Sequence, residues 1–124
     1  MKISSYNVLR IGLAITFIGV AAYIFQEPLA WGGMMQPWAT RLMPIPLTTA
    51  MYGTAALDLA VGLCLLADVL TWAAAALGAL HLLSVLVLVG ITDVTIRDVG
   101  LLFASASLSM QTWPDKFAFW KKRA

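Results

Sequence analysis

Charged side chains are scarce in this chain. Only 11% of its 124 residues are Asp, Glu, Lys or Arg, whereas 61% are hydrophobic. A soluble domain carries charge at about a quarter of its positions, so the shortage excludes an ordinary soluble protein and predicts that the bilayer is the solvent. The few basic residues do not line one face, which excludes a nucleic-acid-binding surface. The length predicts a single domain, residues 1–124.

Cysteine is nearly absent as well. A single cysteine, Cys64, excludes an internal disulfide and any CxxC thiol chemistry within this chain. We expect it to pack as a small apolar residue. The chain also lacks a glycine-rich phosphate loop, a nucleophile elbow and a paired histidine–carboxylate motif, so no metal or catalytic site is predicted.

Long apolar runs, separated by prolines and charges, predict four membrane-spanning helices. About 20 residues are needed to cross the hydrocarbon layer, and about 17 suffice at the low end. Pro28 ends the first run, Pro46 precedes the second, and Pro114 stops the fourth. The predicted helices cover residues 8–25, 47–66, 70–89 and 96–113.

The stretch from Gln26 to Pro46 is apolar but is not predicted to span. It holds four of the five prolines, which remove amide donors and break helices. With Trp31 and Trp38 it is expected to form a first outer loop that caps the helices or folds back onto the membrane surface. Residues 38–42 are predicted to form one short interfacial turn.

Basic residues predict the orientation. Cytoplasmic segments carry an excess of Lys and Arg. With both termini inside, six basic residues lie inside and two, Arg41 and Arg97, lie outside. Arg10 is expected to reach the headgroups by snorkelling. The predicted fold is therefore an all-α, integral membrane four-helix bundle in the cytoplasmic (inner) membrane, with an N-in/C-in topology. The six inside residues are Lys2, Arg10, Lys116, Lys121, Lys122 and Arg123.

Small residues recur at four-residue spacing in the last two helices. Ala74 and Gly78 form one such pair, and Gly100 and Ala104 another. This spacing allows helix backbones to approach closely in lipid. We expect the third and fourth helices to pack together here, and self-association is the alternative.

Two ionisable residues fall near the middle of predicted spans. Asp58 lies halfway along the second helix and His81 halfway along the third. An unpaired ionisable group at mid-membrane is costly, and one arrangement open to the two is a shared hydrogen bond or a shared proton. The alternative is a protonated Asp58 that donates to a backbone carbonyl.

The fourth helix begins with a further pair of charges, Arg97 and Asp98. Thr95 is predicted to be the N-cap, with Asp98 three residues later in a variant of the capping box. A cation opposes the helix dipole at this end, so Arg97 is expected to have an acidic partner: Asp58, Asp93 or Glu27.

Several of these motifs resemble the DoxX-like family of small four-helix membrane proteins, over nearly the whole chain. The motifs are Leu9-Arg10-Ile11-Gly12, Phe17-Ile18-Gly19, Asp58 followed by Gly62, and Arg97-Asp98-Val99-Gly100-Leu101-Leu102. The family usually has glutamate where Asp58 stands. The resemblance implies the same bundle, and some members look like membrane subunits of oxidoreductases that handle quinones or sulfur compounds.

Three functions remain open from the sequence. The favoured one is a non-catalytic accessory subunit of a larger, redox-linked membrane complex, whose partners are lipid and other membrane subunits or a second copy. The alternative is a quinone-binding oxidoreductase unit built on Asp58, His81 and Arg97. Asp98 joins these three as a candidate functional polar residue. A transporter or channel would require an oligomer. No resident cofactor is predicted, and quinone is the ligand class left open.

Overall fold

Helices account for all the regular structure in the described part of the chain, and no strand occurs there. The computed structural model describes residues 3–117. Predictions that involve Lys2 and the basic residues 121–123 lie outside this range. In chain order the helices are α1 (Ser5–Gln26), α2 (Pro28–Gly32), α3 (Pro37–Arg41), α4 (Leu47–Ala67), α5 (Thr71–Val89), α6 (Ile96–Thr112) and a 3-10 turn at Asp115–Phe117.

Three of these helices, α1, α4 and α5, are long and apolar enough to cross a membrane. At 1.5 Å per residue they are about 33, 32 and 29 Å long, against a hydrocarbon layer of about 30 Å. Helix α6 has 17 residues and carries Arg97 and Asp98 in its first turn. It is therefore shorter and more polar than the other three.

Capping and proline explain the helix ends. Helix α1 begins at Ser5, three residues earlier than predicted, because the side chain of Ser4 accepts the amide of Asn7 at 3.1 Å. Pro28 and Pro37 each occupy the first turn of a five-residue helix, where the missing amide costs nothing. The first of these short helices was not predicted. No longer helix forms between residues 27 and 46.

Glycines bring α1, α4 and α5 into close contact. A Cβ on Gly62 would lie 2.6 Å from Cγ1 of Ile18, and one on Gly78 would lie 2.7 Å from the ring of Phe17. The ring of Phe17 therefore packs into the surface of α5. Phe17 belongs to the apolar core of the protein. The buried members of this core are Leu13, Ala14, Phe17, Val61, Leu65, Ala74, Ala75, Leu82 and Leu108.

Helices α5 and α6 pack together, as expected. Two of the predicted small residues do not serve this contact, since Gly78 faces the ring of Phe17 in α1 and Gly100 is exposed. Ala75 and Ser105 are fully buried, and the hydroxyl of Ser109 donates to the carbonyl oxygen of Trp72 at 2.9 Å. The rings of Trp72 and Trp113 meet edge-on, with centroids 4.8 Å apart. Helix α1 packs closely on α4, and α1 and α6 make the loosest of the contacts between neighbouring long helices.

A tight turn joins α4 to α5. Its residues Asp68 and Leu70 have φ angles of 56° and 49°, which is the left-handed region. The three-residue connection makes α4 and α5 antiparallel neighbours, and this arrangement sets Asp58 opposite His81.

Candidate functional site

Asp58 and His81 meet between α4 and α5. Nε2 of His81 lies 3.2 Å from Oδ1 of Asp58, and both side chains are largely buried. Of the two arrangements left open by the sequence, the structure shows Asp58 next to His81. The contact does not have the geometry of a hydrogen bond, since Oδ1 has no hydrogen-bond partner in the described part of the chain. The capacity of Oδ1 to accept a hydrogen bond is thus unused, and Asp58 itself is only 3% exposed.

A cavity of about 480 Å³ begins at this pair. Its size suits a small organic ligand, for which pockets of about 300–1,000 Å³ are typical. Most of the wall is apolar, and its polar members come from α1, α4, α5, α6 and the loop before α6. They are Thr16, Thr54, Asp58, His81, Ser84, Thr95, Arg97 and Asp98.

Three of the four predicted polar residues lie in α5 and α6, and the fourth, Asp58, lies in α4. Asp98 is half-buried and interacts electrostatically with His81 and Asp58. Arg97 lines the cavity but is exposed. The structure thus brings Asp58, His81, Arg97 and Asp98 to the wall of one cavity.

The predicted acidic partner of Arg97 is wrong. In residues 3–117, Asp58 pairs with His81, and neither Asp93 nor Glu27 forms an ion pair with Arg97. The cation opposing the helix dipole is tolerated because its side chain is exposed. Its guanidinium therefore keeps its donors for water or for a ligand.

The predicted capping box at Thr95 is also wrong. Thr95 has helical backbone angles and makes no cap hydrogen bond. Its buried hydroxyl donates instead to the carbonyl oxygen of Gly90 at 2.6 Å and accepts the amide of Thr92 at 2.7 Å. Thr95 thus fixes the loop between α5 and α6, which leaves Asp98 without a capping role.

Apolar side chains from the first loop cover the end of the cavity that lies away from Asp58 and His81. Trp31, Met34 and Met35 form this cover. The amide of Gln36 donates to the carbonyl oxygen of Leu88 at 2.9 Å, which ties the loop to the end of α5. The predicted role of the loop as a cap on the helices agrees with this placement.

A second polar cluster, at the opposite end of the helices, was missed from the sequence. Arg10 is buried rather than snorkelling, and its Nη1 donates to the carbonyl oxygens of Leu65 and Leu66 at 2.6 and 2.8 Å. Asp68 accepts hydrogen bonds from Tyr6 at 2.6 Å and Thr71 at 2.5 Å. The four-residue spacing of Tyr6 and Arg10 was the available signal, because it places both on one face of α1.

The Asp68 carboxyl has a lowered pKa. The hydrogen bond from Thr71 contributes most, followed by the one from Tyr6, and the charge of Arg10 adds to them. This cluster joins the start of α1 to the turn between α4 and α5. We interpret it as a structural clasp, called the inner clasp below, made of Tyr6, Arg10, Asp68 and Thr71.

No group of His, Cys, Asp and Glu residues suited to a metal ion occurs within residues 3–117. Comparison with known proteins adds no further guide: no family model, no curated protein and no solved structure matches the chain. The similarity to DoxX-like proteins thus rests on the sequence motifs alone.

Proposed function

We propose that this protein is a four-helix membrane bundle that binds a quinone-class molecule in the cavity at Asp58 and His81. One observation carries the proposal. A buried carboxyl group lies beside a histidine at the end of an apolar cavity, and one oxygen of that group has no hydrogen-bond partner within residues 3–117. Buried polar groups are normally satisfied, and a ligand with a polar head would satisfy this one.

The polar residues match both states of such a ligand. The carbonyl oxygens of a quinone need donors, which His81 and the guanidinium of Arg97 supply. The hydroxyls of a quinol need acceptors, which Asp58 and Asp98 supply. The apolar wall, with Trp31 and Met51, suits the ring and its substituents.

The membrane assignment follows from the apolar helices. Helix α6 is the proposed fourth span, with Arg97 at its outer end within reach of the headgroups. The excess of basic residues near the two ends supports the proposal that both termini lie in the cytoplasm and that the membrane is the inner one. A reporter fused to the C-terminus tests this topology, since activity of the reporter on the side of the membrane away from the cytoplasm would contradict it.

Equilibrium binding tests the proposed ligand. Quenching of tryptophan fluorescence by decyl-benzoquinone, measured in lipid nanodiscs, reports occupancy because Trp31 lines the cavity, and Trp31→Phe identifies its share of the signal. Asp58→Asn and His81→Gln should each raise the Kd about tenfold, or about 1.4 kcal/mol. Asp93→Asn, at an exposed loop position, is the matched control. The proposal would be contradicted if quenching is saturable but Asp58→Asn and His81→Gln leave its Kd unchanged.

The accessory-subunit function stays a prediction beside this one, since a ligand-binding bundle can also serve a larger complex. Lipid-facing side chains such as Phe103 and Leu80 are available to neighbouring membrane subunits or to a second copy. Co-purification of a defined partner in mild detergent would support that function.

A further inference from the structure

We infer that the cavity exchanges its ligand sideways with the bilayer, through a gap between α1 and α6, and therefore takes a molecule with an apolar tail. The inference rests on the proposed function, because it concerns the route into the same cavity. Its evidence is the closure of the other sides of the cavity and the residues along the gap.

Both ends of the cavity are covered. The first loop covers the end away from Asp58 and His81 with Trp31, Met34 and Met35, held by the hydrogen bond from Gln36 to Leu88. The apolar core around Phe17 and Leu108 fills the space towards the other end. A route along the helix axes would have to displace one of these covers.

The helices around the cavity form four pairs of neighbours, and these pairs differ in how tightly they pack. Helix α1 packs on α4 through Gly62, and α5 packs on α6 through Ser109 and Trp72. Helices α4 and α5 are joined by a short turn and by the Asp58–His81 contact. The contacts between α1 and α6 are the loosest of those between neighbouring long helices, although both helices line the cavity.

Glycines flank this gap on both sides. At about 100° per residue, Gly19 lies about 60° around α1 from the cavity-lining Thr16, on the side away from α4. Gly100 lies at the same angle around α6 from the cavity-lining Arg97, on the side away from α5. A Cβ added at either glycine would have no atom within 4 Å. We take the open space beside these two glycines as a slot through which the gap opens towards lipid.

The slot defines the ligand class. A polar head can reach Asp58 and His81 while an isoprenoid or acyl tail lies between α1 and α6 and continues into the bilayer. A water-soluble ligand would gain nothing from such an opening. The source of the ligand is therefore the lipid phase.

Binding kinetics separate the route from the site. Stopped-flow quenching by decyl-benzoquinone in nanodiscs is compared between the wild type and the double variant Gly19→Leu/Gly100→Leu. Association and dissociation should both slow by about tenfold with little change in Kd, because a plugged route raises the barrier without altering the bound state. Gly53→Leu is the matched control, since that glycine also has no atom within 4 Å of an added Cβ but lies on α4.

Each outcome decides between the two proposals. Unchanged rates in the double variant overturn the lateral route while wild-type binding upholds the site. A weaker Kd with unchanged association also overturns the route, since the glycines would then be contacts of the ligand. Absence of saturable binding by the wild type overturns the proposed function and the route together.

Discussion

The hydroxyl of Tyr6 donates a hydrogen bond to the carboxylate of Asp68 at 2.6 Å, across 62 positions of the sequence. This bond connects the first turn of α1 to the turn that joins α4 and α5. It belongs to the inner clasp, and the first two predictions concern that cluster.

Asp68 should make the folded protein sensitive to acid. Its pKa is lower in the folded state, through Thr71, Tyr6 and the nearby Arg10, than the value of about 3.9 in an unfolded chain. A lowered carboxyl pKa stabilises the fold above the unfolded value, and that stabilisation is lost as the pH falls through the folded value. Unfolding in detergent should therefore become easier below about pH 4. Asp68→Asn should reduce stability at neutral pH and flatten this dependence, whereas Asp93→Asn should keep the wild-type slope.

Arg10 should be essential to the same clasp. Its guanidinium bridges two carbonyl oxygens at the end of α4, a geometry that lysine cannot reproduce. Arg10→Lys should lower the free energy of unfolding by about 2 kcal/mol. Arg41→Lys, at an exposed position, should change it by less than about 0.5 kcal/mol. Equal effects in chemical denaturation would show that Arg10 is not specially placed.

Gly62 should not accept a side chain. An alanine Cβ there would lie 2.6 Å from Ile18 Cγ1 and 3.1 Å from the carbonyl oxygen of Ala14, so α1 and α4 would have to separate. We expect Gly62→Ala to destabilise the protein by about 1–3 kcal/mol. Gly53→Ala, which meets no atom within 4 Å, should instead stabilise α4 by about 0.5–1 kcal/mol. Thermal unfolding followed by circular dichroism distinguishes the two, and a stable Gly62→Ala protein would refute the close packing.

Asp58 and His81 should be coupled energetically. Because Nε2 and Oδ1 are 3.2 Å apart, the effect of removing one side chain should depend on the other. A double-mutant cycle with Asp58→Ala and His81→Ala should give a coupling energy of about 1 kcal/mol in unfolding measurements. Strict additivity would mean that the two groups do not interact.

The helices could be predicted from the sequence because prolines and charges interrupt the apolar runs at definite places. Pro46 precedes α4 directly, as expected, and α1 differs only through the local cap at Ser4. The facing positions of Asp58 and His81 also followed from spacing alone, since two antiparallel helices joined by a short turn place their midpoints opposite each other.

The partners of several polar side chains could not be predicted from the sequence, because they depend on tertiary contacts. Arg10 looked like a snorkelling residue because its partners, the carbonyls of Leu65 and Leu66, are backbone groups more than 50 residues away. Thr95 looked like an N-cap, but its hydroxyl bonds to the preceding loop. The sequence shows that the charge of Arg97 opposes the dipole of α6, which suggests an acidic partner. In the structure the side chain is exposed instead, and its charge is tolerated without such a partner.

The short turn between α4 and α5 also bears on how the chain enters the membrane. An aspartate at the centre of a lone helix adds about 2.5–3.5 kcal/mol to the cost of insertion, and Asp58 imposes that cost on α4. Helix α5 follows after only three residues and is free of charge. The two helices can therefore leave the translocation machinery as one hairpin, in which His81 shields Asp58 before α6 has been synthesised.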